Sequence, residues 1–213
     1  MRKVFVSLCS ILIGSSVFAQ NIKNDSSWVF EAGINAVDVY PVGKDSPQGA
    51  YFEEFFNATD HWNFGIPTVK VARYINEAVF LSVRATFNKI SKWGELPGQS
   101  RAEVDRLNYL GLDAMLNKNL KNIFHSEKFE PFIGIGLGYT WIEEGPYNSN
   151  ANGIDDLVGA GTLNGVLGVK YWISKNIGVN IETAYKHTFE SYLTRHWQHS
   201  LGVIFKLEKC VCY

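Results

Sequence analysis

Val79-Phe80-Leu81-Ser82-Val83-Arg84-Ala85-Thr86-Phe87-Asn88 decides the fold class. Val79, Leu81, Val83, Ala85 and Phe87 make one stripe, while Phe80, Ser82, Arg84, Thr86 and Asn88 make the other. A period of two marks a strand with one apolar and one polar face. The same alternation returns at residues 28–36, 110–116, 133–141, 163–171, 177–185 and 197–207. An eighth segment, 64–75, has strand composition, but Pro67 obscures its parity. Most of these segments approach the roughly 9 to 11 residues with which a tilted strand crosses a bilayer.

The joins between them are uneven. Residues 76–77, 118–128 and 174–176 make the shorter ones; 39–63, 91–103 and 144–160 make longer ones, with a shorter fourth at 190–194. In an up-and-down meander, alternate joins fall at opposite ends, so one end receives tight turns and the other long loops. Short periplasmic turns and longer extracellular loops are the habit of outer-membrane barrels. Trp28, Phe30, Tyr171 and Phe205 fall toward the turn end; Phe87, Tyr139, Trp141, Tyr185 and Trp197 fall toward the loop end. Both sets suit interfacial girdles. The expected fold is therefore all-β: an eight-stranded, up-and-down, antiparallel transmembrane β-barrel.

Composition agrees with this reading. The chain has 213 residues, one domain's worth, with 46% hydrophobic and 19% charged residues and a net charge of −1. That balance argues against a disordered chain and against a basic nucleic-acid binder. Aromatic residues reach 14%, alongside 19 glycines, a combination suited to curved strands that meet a membrane interface. After the first twenty residues no apolar run reaches the roughly 18 residues of a spanning helix, so a barrel is the remaining way through a bilayer.

The first residues read as an export signal. Arg2 and Lys3 precede an apolar run over 4–13, and small residues lead to Val17-Phe18-Ala19 before Gln20. Residues 1–19 are expected to be removed, 20–207 to form the barrel and 208–213 to make a C-terminal tail. Cys9 leaves with the signal, and the mature chain keeps 18 basic against 21 acidic side chains, a net of −3. Cys210 and Cys212 lie too close to pair without strain and lack the neighbours of a zinc site.

If the apolar stripe meets lipid, the lumen receives Glu31, Arg84, Asp113, Lys170, Glu182, Lys186 and Lys206. An eight-stranded barrel is just wide enough for side chains to fill. These charges, opposite Gly134, Gly136 and Gly138, therefore read first as a structural plug and second as a narrow gated path. Gly136→Ser points into this lumen and is expected to be milder than Leu137→Arg, provided the added hydroxyl fits beside the long charged chains. A soluble lipocalin-like barrel would reverse the faces, with the apolar stripe inside.

Signals for other chemistry are sparse. His187, His196 and His199 lie near the fourth loop, where a loop-end enzyme could use them, yet no nucleophile motif, HExxH or P-loop accompanies them. Glu143, Glu144, Asp155 and Asp156 make the third loop acidic without calcium-loop spacing. The expectation is a protein without catalysis, cofactor or metal.

Several short strings carry a family resemblance. They include Gly33-Ile34-Asn35-Ala36-Val37-Asp38-Val39-Tyr40-Pro41, Phe55-Phe56-Asn57 with Asp60-His61-Trp62-Asn63, and Asn88-Lys89-Ile90. Gly138-Tyr139-Thr140-Trp141, Thr162-Leu163-Asn164-Gly165, Tyr185-Lys186-His187, Gln198-His199-Ser200 and Phe205-Lys206 extend the set. Together they resemble the N-terminal barrel of OmpA-like outer-membrane proteins of the Bacteroidota type, from about Trp28 to Leu207. The resemblance implies a role in envelope integrity or surface interaction, in contact with outer-membrane lipid and lipopolysaccharide. A narrow porin-like channel for small solutes is the alternative. Such proteins usually continue into a peptidoglycan-binding domain; here Glu208-Lys209-Cys210-Val211-Cys212-Tyr213 follows the barrel, so peptidoglycan binding is not carried over.

Overall fold

The computed structural model describes residues 27–40, 52, 55–95, 101–124, 126–148, 157–190, 193 and 195–207. The expected signal (1–19), the tail with Cys210 and Cys212, Cys9, and Asp155 with Asp156 lie outside them. Eight strands run β1 Trp28–Asp38, β2 Trp62–Asn76, β3 Val79–Glu95, β4 Arg101–Asn119, β5 Phe129–Glu143, β6 Leu157–Trp172, β7 Ile177–Thr188 and β8 His196–Leu207. Each pairs antiparallel with the next, and β1 closes on β8, giving a closed barrel in sequence order. Closure leaves no edge strand, so neighbouring strands satisfy the wall's peptide groups, as a bilayer requires. A short helix, α1 Lys121–Phe124, sits in the β4–β5 turn.

Alternation holds around nearly the whole wall. On β6, Leu163, Leu167 and Tyr171 are exposed, while Thr162, Asn164, Val166 and Lys170 are buried. The outward faces of the other strands carry Leu81, Val83, Leu112, Leu137, Ile181 and Val203. The apolar stripe is outside, so the lipocalin-like arrangement is overturned.

Two details depart from expectation. On β2, Ile66 and Pro67 are both exposed and alternation restarts at Thr68, which sends Lys70, Ala72 and Tyr74 inward. That slip is what hid the parity. The β3–β4 join is also shorter than 91–103, because the strands continue to Glu95 and Arg101. Asn63 helps tie this extension to the wall: its Oδ1 accepts from the Ser91 and Lys92 amides at 2.9 Å each, and its Nδ2 donates to the Lys92 and Val37 carbonyls.

Candidate functional site: the barrel lumen

The lumen is filled in layers. At the turn end Val29, Tyr74, Phe80, Met115, Phe132 and Trp172 belong to one apolar cluster. At the loop end Val37, Ile90, Trp93, Leu107, Ile142 and Leu193 belong to another. Most members of both clusters are inward strand positions, where apolar side chains can meet across the barrel.

Between the clusters lies a layer of paired charge. Arg84 on β3 reaches Asp113 on β4 through Nη2 at 2.8 Å and Nε at 3.1 Å, and Glu182 on β7 through Nη1 at 2.7 Å. Lys70 on β2 lies 2.6 Å from both Glu182 and Glu31. Lys186 lies 2.9 Å from Asp113. Three cations thus face three carboxylates. Asn180 Nδ2 donates to Glu31 and Glu182 at 3.1 Å each, and Asn164 Nδ2 donates to Asp113 at 2.7 Å. The layer ties β1, β2, β3, β4, β6 and β7 across the lumen. Charge-assisted hydrogen bonds strengthen where water is excluded, and each ion taken from water needs such partners.

A neutral belt continues toward the loops. Lys186 Nζ donates to Tyr109 Oη at 3.2 Å, and that hydroxyl lies 2.9 Å from His196 Nε2 and 3.3 Å from Gln198 Oε1. Gln198 Nε2 donates to Thr86 at 2.7 Å, and Asn88 Nδ2 donates to Asn35 at 2.7 Å. Toward the turns, Lys170 Nζ donates to Tyr74 Oη at 2.7 Å, and Tyr74 donates to Glu130 at 2.9 Å. The Lys170 ammonium also lies 3.5 Å from the Phe80 ring centre, a cation–π contact.

Of the charges read from the sequence, Glu31, Arg84, Asp113, Lys170, Glu182 and Lys186 all face inward and are at most 5% exposed. Lys206 is placed differently. It is half-buried at the turn-end mouth, where it lines a cavity of about 930 Å³ with Lys121, Lys128 and Glu130. The lumen also holds Lys70 and Glu130, which alternation alone does not reveal: the parity slip on β2 hides Lys70, and Glu130 lies in the first turnward residues of β5, before its alternation becomes regular. Counting back by twos from Tyr74 would have found Lys70.

The glycines of β5 are sites of close approach. A methyl at Gly136 would run into the Ala114 carbonyl and lie 2.8 Å from Met115 Cα; one at Gly138 would collide with the Asp113 carboxylate. The condition on which Gly136→Ser would be mild is therefore not met, since the neighbour in the way is backbone.

The three histidines are divided between faces. His196 is buried in the lumen, whereas His187 and His199 lie on the outer wall, His199 stacked on Trp62 at 4.1 Å and edge-on to Phe55 at 5.1 Å. They do not form one cluster. Glu143 accepts from the Asn108 amide at 3.0 Å and from its side-chain Nδ2 at 2.7 Å, and Glu144 is exposed. Among the described residues no group of three or more His, Cys, Asp or Glu is arranged to hold a metal ion.

No protein-family model and no curated protein matches the sequence. Among solved structures, the barrel is similar to the outer membrane protein OprG from Pseudomonas aeruginosa, with a TM-score of 0.56 at 13% identity, over 87% of this chain and 98% of that one. It is also similar to Ail, the attachment invasion locus protein of Yersinia pestis, with a TM-score of 0.51 at 11% identity, over 86% of this chain and 99% of that one. At these identities the likeness concerns the fold: an eight-stranded barrel of the outer-membrane kind.

Proposed function

We propose that this chain is an exported, OmpA-like barrel of the bacterial outer membrane. Its lumen is a structural plug, and its role is envelope integrity or surface interaction, without catalysis. One observation carries the plug: the charged layer is sealed between two apolar clusters. Lys186 and Asp113 are 0% and 1% exposed, so the side chains themselves fill the middle of the lumen. A barrel of this size holds side chains more readily than a channel.

Conductance tests the plug. Purified protein in planar bilayers should give no steady wide-pore current, while Glu182→Gln, which loosens both Lys70 and Arg84, should raise any small leak severalfold. A stable wide-pore current from the parent would overturn the plug and favour the porin-like alternative. Location has its own test. The mature protein should begin at Gln20, fractionate with outer membranes and shift in gel mobility on boiling; recovery as a soluble periplasmic protein would refute the membrane assignment.

A further inference from the structure

The outer wall is uneven in charge. Near the loop end the outward positions of β5, β7 and β8 include Tyr139, Trp141, Tyr185, His187, Trp197 and His199, all aromatic, with Arg195 just before β8 beside His187. On β3 and β4 the corresponding level carries Lys89 and Arg106. Lys89 pairs across the ladder with Asn108, and Arg106 lies two residues further toward the loops. Both side chains are exposed, and neither makes an ion pair among the described residues. The nearby Glu143 carboxylate is engaged by the two Asn108 donors. Arg106 also holds φ at 34°, in the left-handed region that long side chains rarely adopt and that costs folding energy.

Lys89 and Arg106 line one groove of about 580 Å³ with Phe64, Ile66, Phe87 and Leu110. Phe64 and Ile66 are strongly exposed on this wall. Lys89 stands two residues above Phe87, about one headgroup's depth beyond the apolar band at a rise of roughly 3.3 Å per residue. Two cations at the upper rim of an apolar slot, beside Phe64 and above Ile66 and Phe87, match an amphiphile with phosphate at the interface and hydrocarbon below. Lysine and arginine bind phosphate through charge-assisted hydrogen bonds.

We propose that this groove is a binding site for a phosphorylated glycolipid of the outer leaflet, with phosphate held by Lys89 and Arg106 and one acyl chain lying against Phe64, Ile66 and Phe87. The site rests on the outer-membrane assignment, which places the loop end at the outer leaflet. It would hold lipid against one flank of the barrel, a directed contact suited to an envelope role.

Native mass spectrometry of the full refolded barrel tests it, with bisphosphorylated lipid A, dephosphorylated lipid A and phosphatidylglycerol as probes. The parent should retain one bisphosphorylated lipid A, with the other two probes at least fivefold weaker. Lys89→Gln with Arg106→Gln should reduce retention about tenfold, whereas Lys118→Gln, at the turn end of β4, should leave it unchanged. Equal retention by parent and double variant would overturn the site; equal retention of phosphatidylglycerol would overturn the glycolipid as its occupant. Boiling-dependent mobility of the same samples separates failure of this site from failure of the membrane-barrel reading.

Discussion

Arg84→Met is expected to destabilise the folded barrel by about 3 to 5 kcal/mol, the usual cost of removing one partner from a buried ionic group. Arg84 is the only side chain of the charged layer that reaches both Asp113 and Glu182 among the described residues, and it donates to them through three nitrogens. Methionine roughly preserves the volume but leaves three carboxylates facing the two lysines, in a medium where unpaired charge is poorly screened. Adding Glu182→Gln should restore more than half of the loss. Lys70 then keeps Glu31 and Lys186 keeps Asp113, two pairs already at 2.6 and 2.9 Å. Denaturant titration in lipid vesicles, followed by tryptophan fluorescence, measures both variants. If Arg84→Met lies within about 1 kcal/mol of the parent, solvent is relieving the unpaired acids and the layer is not sealed. If the second change adds to the first, the network is not acting as a coupled unit.

Much of this arrangement is legible in the sequence because a closed barrel wall enforces period two: every second residue faces outward, and the lumen receives the rest. That is enough to send Glu31, Arg84, Asp113, Lys170, Glu182 and Lys186 inward. It fails where the constraint lapses. Ile66 and Pro67 both face outward, so counting by twos through them sends Lys70 to the wrong side. Beyond Ile90 the β3–β4 ribbon leaves the regular wall, with register shifts between Ile90 and Lys92 and again before Gly94, so alternation no longer marks a strand there. Parity also says nothing of height. Phe80, Phe132 and Trp172 sit on the inward stripe and break its polar character, and only the register shows that they gather at the turn end as a stopper. Gly136 is the sharpest case: alternation gives its face, but what it tolerates is decided by how closely the paired β4 backbone at Ala114 and Met115 approaches it.

The outward stripe should be equally sensitive, for a different reason. Leu137 lies well within β5, between Ala114 on β4 and Leu163 on β6, and is 68% exposed on the wall. Leu137→Arg sets a guanidinium near the bilayer midplane and should cost about 2 to 4 kcal/mol, since the charge must be dragged toward the interface or desolvated in hydrocarbon. Leu81→Arg, on the same stripe but only two residues into β3, should cost no more than about 1 kcal/mol because its side chain can reach the turn-end interface. Leu137→Met controls for packing and should change stability by less than about 1.5 kcal/mol. The gradient distinguishes lipid from an ordinary protein contact: a packed interface would penalise arginine according to local fit, whereas a bilayer penalises it according to depth. Folded fraction in vesicles across a denaturant series gives all three values. Equal costs for Leu137→Arg and Leu81→Arg would mean that depth is irrelevant, and the apolar wall would then have to be covered by something other than a membrane.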